Sequence, residues 1–125
     1  LASKAIVSRA DLEGEPLVLY SGSARYVTEI RRQILAGGGD INIVASSPYA
    51  STLCAMVGAG LGITIVDPLT AQFFGGAGLV AKATELDVPY DVYLIRPSAH
   101  TTSKPLDFLE SAIDQSFREL AARTA

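Results

Sequence analysis

Among its 125 residues the chain has few of those that carry most recognisable chemistry. Its one cysteine, Cys54, excludes an internal disulfide, and no cluster of cysteines and histidines offers a metal site. Its one histidine, His100, sits in the polar loop 97–103 with no carboxylate beside it, so it reads as an exposed loop residue. There is no G-x-S-x-G elbow and no serine in a readable histidine-and-acid arrangement, so no catalytic set is assembled. Ten basic residues face thirteen acidic ones, a net charge of −3. The basic pair Arg31-Arg32 shares a predicted helix with Glu29, the pattern of a solvated face rather than a nucleic-acid surface. No run of 18 apolar residues exists, which excludes a helical membrane span. The opening LASKAIVSRADL lacks the continuous apolar stretch of a signal peptide. It reads as a chain entered within a domain, and a cytoplasmic location is expected.

The residues that are present are well organised for a core. Hydrophobic residues make up 49%, and most of the eleven glycines and six prolines fall between the apolar runs. Strands are predicted at 4–9, 17–20 (LVLY, an unbroken apolar run), 41–45 (INIVA), 63–66 (ITIV), 79–83 and 90–95. A helix is predicted over 25–36 with Val27, Ile30, Ile34 and Leu35 on its inner face, and a second from Pro48 with Tyr49, Leu53, Met56 and Val57. Ser47 is placed to cap that second helix and Pro48 to begin it, while Gly58 and Gly60 break it. Cys54, inside it, is read as a small core residue. A short helix covers 68–74, and a long amphipathic one covers 104–122 with Leu106, Leu109, Ile113, Phe117 and Leu120 on one face. Alternating strands and helices predict an α/β fold, a Rossmann-like, mostly parallel sheet flanked by helices.

The glycines of GAGLG at 58–62 superficially suggest a phosphate loop. They follow a helix and precede a strand, the reverse of the dinucleotide order, and lack a P-loop lysine. They are assigned to turn and close packing, and no cofactor is expected. Asp67, just after a strand, is read first as a turn-forming Asp-Pro. The stronger site signal lies in two strand-to-helix loops, 20–26 and 45–49, both rich in hydroxyls and small residues. Each ends at a helix N-terminus, where free N–H groups and the helix dipole favour an anion. Parallel strands would bring the two loops to one sheet edge, with Tyr26 and Tyr49 as an apolar wall and Arg25 as a charged donor. The alternative is that the serines only cap helices and the tyrosines only pack.

Several short motifs then carry a resemblance. They are Ala10-Asp11-Leu12 with Gly14, Pro16-Leu17-Val18, Leu53 and Val57 with Gly60-Leu61-Gly62-Ile63, and Pro68. Farther on come Leu79-Val80, Tyr93-Leu94-Ile95 and Phe108-Leu109. In this order and spacing the chain resembles the effector-binding domain of a LysR-type transcriptional regulator over nearly its whole length. The resemblance implies a fold of the periplasmic-binding-protein type 2 class, two α/β subdomains with a small-molecule effector between them. It implies that residues 1–100 are the second regulatory subdomain and that 101–125 form a helix returning to the first. The helix-turn-helix domain and most of the first subdomain are missing from this stretch, so DNA would be bound only through a domain outside it. The family's effector contacts carry over to Ser21, Gly22, Ser23 and Tyr26 in one loop and to Ser46 and Ser47 in the other, with Tyr49 beside them.

Three functions follow as expectations. The first is an effector-sensing module that binds a small anionic metabolite and performs no catalysis, with self-association expected and the apolar face of its last helix folding back or pairing with a second chain. The second is a solute-binding or transport-associated domain of the same fold, which a secretion signal in the full gene would favour. The third is a small α/β enzyme using Asp67 or a loop serine, and no partnered base supports it.

Overall fold

In the computed structural model, residues 1–38, 40–76, 78–96 and 103–124 are described. The chain forms two compact units, Leu1–Tyr90 and Asp91–Ala125.

The first unit is built around one strand, β2 (Pro16–Tyr20). Its residues alternate between two cores because strand side chains point to opposite faces. Leu17 and Leu19 join Val7, Leu12, Ile30, Ile34 and Leu86 on one face. Val18 and Tyr20 join Val27 and Leu53 on the other. An unbroken apolar run therefore does mark a strand covered on both sides. On one edge β2 pairs in parallel with β3 (Asn42–Ser47), from Pro16 opposite Asn42 to Tyr20 opposite Ser47, with a bulge after Leu17. On the other edge the Val18 N–H donates to the Ile63 carbonyl at 2.8 Å and the Ile63 N–H to the Pro16 carbonyl at 2.9 Å. A second parallel pair, β1 (Ile6–Val7) with β4 (Ala83–Thr84), is extended by the Glu85 N–H donating to the Val7 carbonyl at 3.1 Å. These parallel pairings, with α1 (Arg25–Leu35), α2 (Ala50–Gly58) and α3 (Pro68–Phe74) between strands, make the α/β architecture expected.

Several elements are shorter than their sequence pattern. The strand expected over 4–9 ends at Val7 because Asp11 draws the chain into a turn. Its carboxylate accepts from the Ser8 N–H at 2.9 Å and the Ser8 hydroxyl at 2.8 Å and pairs with Lys4, opening a single 3₁₀ turn at Ala10–Leu12. The strand expected at 63–66 makes one bridge, at Ile63, and that at 79–83 reduces to β4. Residues 90–95 form no strand and enter no ladder among the described residues, and Tyr93 and Ile95 are exposed.

The helices differ in detail as well. On α1 Val27, Ile30 and Ile34 are buried as expected, but Leu35 is 54% exposed and Gln33 is buried in its place. The Gln33 amide nitrogen donates to the Asp87 carbonyl, and its amide oxygen accepts the Asp87 N–H at 2.9 Å. Two bonds thus clip the helix to residues 54 positions away, which satisfies a buried polar group. α2 does not begin at Pro48, and Ser47 is not its cap. Ser47 is still paired in β3, and the residue before a proline is held extended. The helix starts at Ala50 after an extended Tyr49, with no side-chain cap.

Gly58 ends α2 from within and does not break it. The stop is made at Gly60, with φ +82°. There the Leu61 N–H bonds the Met56 carbonyl at 3.1 Å and the Gly60 N–H bonds that of Val57 at 2.9 Å, a complete Schellman motif. At Gly62, φ +154°, a β-carbon would lie 2.1 Å from the Pro16 carbonyl oxygen. The GAGLG glycines are therefore structural, as assigned.

In the second unit α4 (Lys104–Thr124) carries the long amphipathic pattern. Leu106, Ile113 and Leu120 are half-buried, whereas Phe108, Leu109 and Phe117 are exposed. Arg96 pairs with Glu110 at 3.1 Å, and Arg118 with Asp114 one turn earlier.

Replacing Gly62 with alanine drives backbone into backbone at the β2 edge, and a loss of about 2–4 kcal/mol is expected. Gly60→Ala meets open space. It should cost only the left-handed penalty of about 1–2 kcal/mol. Urea unfolding of the two variants checks the order; equal losses would refute the close-approach account.

Candidate functional site

Because β2 and β3 are parallel and in register at Tyr20 and Ser47, the loops that follow them leave the sheet side by side. The Ser21 N–H donates to the Ser47 carbonyl at 3.0 Å, tying the two loops together at their roots. Ligands of open α/β sheets bind at this carboxyl edge. The third segment at the edge, 63–66, runs into Asp67.

Each expected site residue has a definite place. Ser21 and Tyr26 are half-buried, Gly22, Ser23 and Ser46 are exposed, and Ser47 is buried. Gly22 takes φ +101°, which turns the chain out of β2 toward α1. The Ser47 hydroxyl accepts the Tyr49 N–H at 3.1 Å. Tyr49 is 68% exposed and makes no ring contact with the other tyrosines. Neither α1 nor α2 has a side-chain cap: Ala24 and Tyr49 occupy the cap positions, and no side chain accepts from the first-turn N–H groups. Two helix N-termini with unclaimed donors thus follow the two adjoining loops.

The structure adds two residues to the expected set, Tyr20 and Tyr90. Tyr20 is 6% exposed and packs edge-to-face on Tyr26, with ring centres 5.2 Å apart. Tyr26 in turn meets Tyr90 edge-to-face at 5.7 Å. Such pairs are worth about 0.5–1.5 kcal/mol beyond the area they bury. Burial holds the Tyr20 phenol well above its ordinary range, and the negative charge of Asp67 adds to the effect. Burial, then Asp67, then Tyr26 shift Tyr90 the same way. Both rings therefore remain neutral hydrogen-bond donors at physiological pH. The usable signal for Tyr20 was its position, last in a buried strand and directly before Ser-Gly-Ser. Tyr90 carried none, since it read as the start of a strand.

Asp67 is committed to structure. Its carboxylate accepts the Thr70 N–H at 2.9 Å and the Thr70 hydroxyl at 2.6 Å, capping α3, with Pro68 at the first helical position. The turn expected at Asp-Pro is thus a helix N-cap. Its charge also reaches Cys54, which is buried as expected of a core residue and whose thiol is pushed up by burial and then by Asp67. His100 lies outside the described residues. Among the described residues no group of histidine, cysteine, aspartate and glutamate is arranged to hold a metal. None of their helices is long and apolar enough to cross a membrane.

Comparison with known proteins gives a consistent picture. A family model described as the LysR substrate binding domain matches residues 1–117. The Transcriptional activator protein LysR of Escherichia coli (strain K12) is 33% identical over 97 residues, covering 78% of this chain and 31% of that protein. The Regulatory protein NocR of Agrobacterium tumefaciens (strain T37) is 26% identical over 124 residues, covering 99% of this chain and 41% of that protein. The chain thus spans less than half the length of these curated relatives.

The tyrosine shifts fix a pH dependence. A phenol that ionises later in the folded than in the unfolded state contributes stability that is whole below its unfolded value of 10.0 and is lost as pH rises beyond it. Tyr20→Phe should therefore flatten the alkaline limb of the stability profile above pH 10. Denaturant unfolding between pH 8 and 11 measures this, and an unchanged limb would show that Tyr20 is not the group responsible.

Proposed function

The chain belongs to the LysR substrate binding domain family, of the periplasmic-binding-protein type 2 class, and from that premise we propose that it is the effector-sensing module of a LysR-type transcriptional regulator. The proposed ligand is a small anionic metabolite held at the carboxyl edge of β2 and β3. One observation carries the reading: two helix N-termini without side-chain caps follow loops tied by the Ser21–Ser47 bond, beside a tyrosine wall. Backbone N–H groups at such ends favour negative charge. Ser21, Gly22, Ser23, Tyr26, Ser46, Ser47 and Tyr49 are proposed as the contact set, joined by Tyr20 and Tyr90 as phenol donors.

Residues 1–100 are proposed as the second regulatory subdomain, with 101–125 as the helix that returns to the first. DNA contact is assigned to a helix-turn-helix domain outside this stretch, and the location to the cytoplasm. No catalytic role is proposed, since Asp67, the carboxylate of the edge, is spent on its helix cap. The mechanism is linkage: an effector that bridges two subdomains favours one orientation by its differential affinity. Coupling to the DNA-bound arrangement is then worth about 1–3 kcal/mol. The relatives, a transcriptional activator and a regulatory protein by name, favour this reading over a solute-transport domain.

A thermal-shift screen of the full-length regulator against small carboxylates should find a stabilising ligand. Tyr26→Ala should weaken that ligand about tenfold or more in calorimetry, and Ser47→Ala should weaken it by a smaller factor. Wild-type affinity in both variants would overturn the site assignment. A second expectation concerns α4, whose Phe108, Leu109 and Phe117 are exposed. Apolar surface gathered on one element marks an interface, and we propose self-association through it. Light scattering after size exclusion should show a dimer or larger; a monomer with a protease-sensitive α4 would refute it.

A further inference from the structure

The 1–90 unit also holds a half-open pocket of about 320 Å³, bordered by α2, residues 63–66, α3 and the segment leading into β4. No residue of the proposed effector site lines it. Its wall is mainly apolar, with Val57 from α2, Ile65 from the strand-like segment, Phe74 from α3, and Leu79. Thr64, Lys82 and Thr84 interrupt that wall, and the Thr84 hydroxyl already donates to the Val7 carbonyl at 3.1 Å. The Thr64 hydroxyl oxygen is buried with no hydrogen-bond partner. Lys82 lies exposed at the cavity wall and has no ion-pair partner among the described residues. No acidic side chain lines the cavity.

These features define a ligand. An apolar cavity of about 150 Å³ holds one benzene, so this space accepts a molecule of about a dozen non-hydrogen atoms. Its body must be apolar to match the wall. Its polar end must accept hydrogen bonds and carry negative charge, because the accessible unpaired group on the wall is the Lys82 ammonium. Asp67 acts electrostatically on Cys54, so the negative end belongs with Lys82 and the apolar end with Cys54. We propose that this cavity is a second binding site, distinct from the effector loops, for a monocarboxylate with an apolar body such as a medium-chain or aryl-alkyl acid.

Titration calorimetry of the full chain with octanoate tests this, with octanol as the uncharged control. Octanoate is expected to bind and octanol to bind at least tenfold more weakly. Lys82→Ala should lower octanoate affinity about tenfold, and Ala71→Leu, which fills the space, should abolish binding. Since Cys54 is the chain's single thiol, octanoate should also slow its alkylation by N-ethylmaleimide. Circular dichroism checks that Ala71→Leu folds; if it does not, Lys82→Ala at its exposed position decides. Absence of octanoate binding, equal binding of octanol, or unchanged binding in Lys82→Ala would overturn the proposal.

Discussion

The first unit depends on β2 being hydrogen-bonded along both edges while both its faces are buried. A central strand cannot leave backbone groups unpaired away from water, because each orphan costs about as much as a lost hydrogen bond. Leu17, Val18 and Leu19 are at most 1% exposed, so the neighbours of β2 are obligatory. β3 supplies one edge through a regular parallel ladder with a single bulge. The other edge is met by one residue, Ile63, whose N–H and carbonyl bond Pro16 and Val18. For Ile63 to come that close, the preceding backbone must pass against Pro16 with no side chain in between, which is why position 62 is glycine. The helix stop at Gly60, the contact at Gly62 and the pairing at Ile63 form one continuous device.

That device also sets where chemistry can occur. With strands parallel on both sides of β2, the chain leaves the sheet at Tyr20, Ser47 and Val66 toward one edge. Helix N-termini and the cap residue Asp67 follow directly. The edge therefore has a built-in polarity. Unclaimed backbone donors follow two of its loops, and a carboxylate follows the third, with that carboxylate turned inward onto Thr70. Tyr20 and Tyr90 feel the same carboxylate and stay protonated, adding donors and no charge. An anion at the proposed site would meet donors from these two loops, while the Asp67 charge, which reaches Tyr20 and Tyr90, would oppose it from the third.

What could be read from the residues follows how local each signal is. LVLY, the helix through Val27, Ile30 and Ile34, Asp-Pro before a short helix, and the long stripe of α4 are local patterns, and each appears close to its expected bounds. The location of the loop edge was legible too, since it needs only parallel order. Failures fall where a non-local partner decides. Residues 79–83 and 90–95 have strand composition but little or no ladder, and composition says nothing about partners. Gln33 reads as a surface residue until Asp87 arrives from 54 positions away to accept and donate. Ser47-Pro48 has the letters of a helix start, yet the demand of β2 for a partner extends β3 through Ser47 and delays the helix to Ala50. Tyr20, taken as core, is both core and edge, because it is the last strand residue.

The two ends of α2 are anchored very unequally, and this bears on how a bound molecule acts. Its C-terminus is fixed by the paired Schellman bonds and by the glycine contact that carries the chain back to β2. Its middle is fixed by Leu53, fully buried. Its N-terminus has one modest restraint, the Ser47 hydroxyl accepting the Tyr49 N–H, and no side-chain cap. A cap is worth about 0.5–2 kcal/mol, so the missing one leaves that much stabilisation for an external acceptor to supply. An anion of the kind proposed would complete a helix end that the chain itself leaves unfinished. Its effect would fall first on residues 48–52, the end of α2 with the fewest restraints, and least on the β2 pairing beneath.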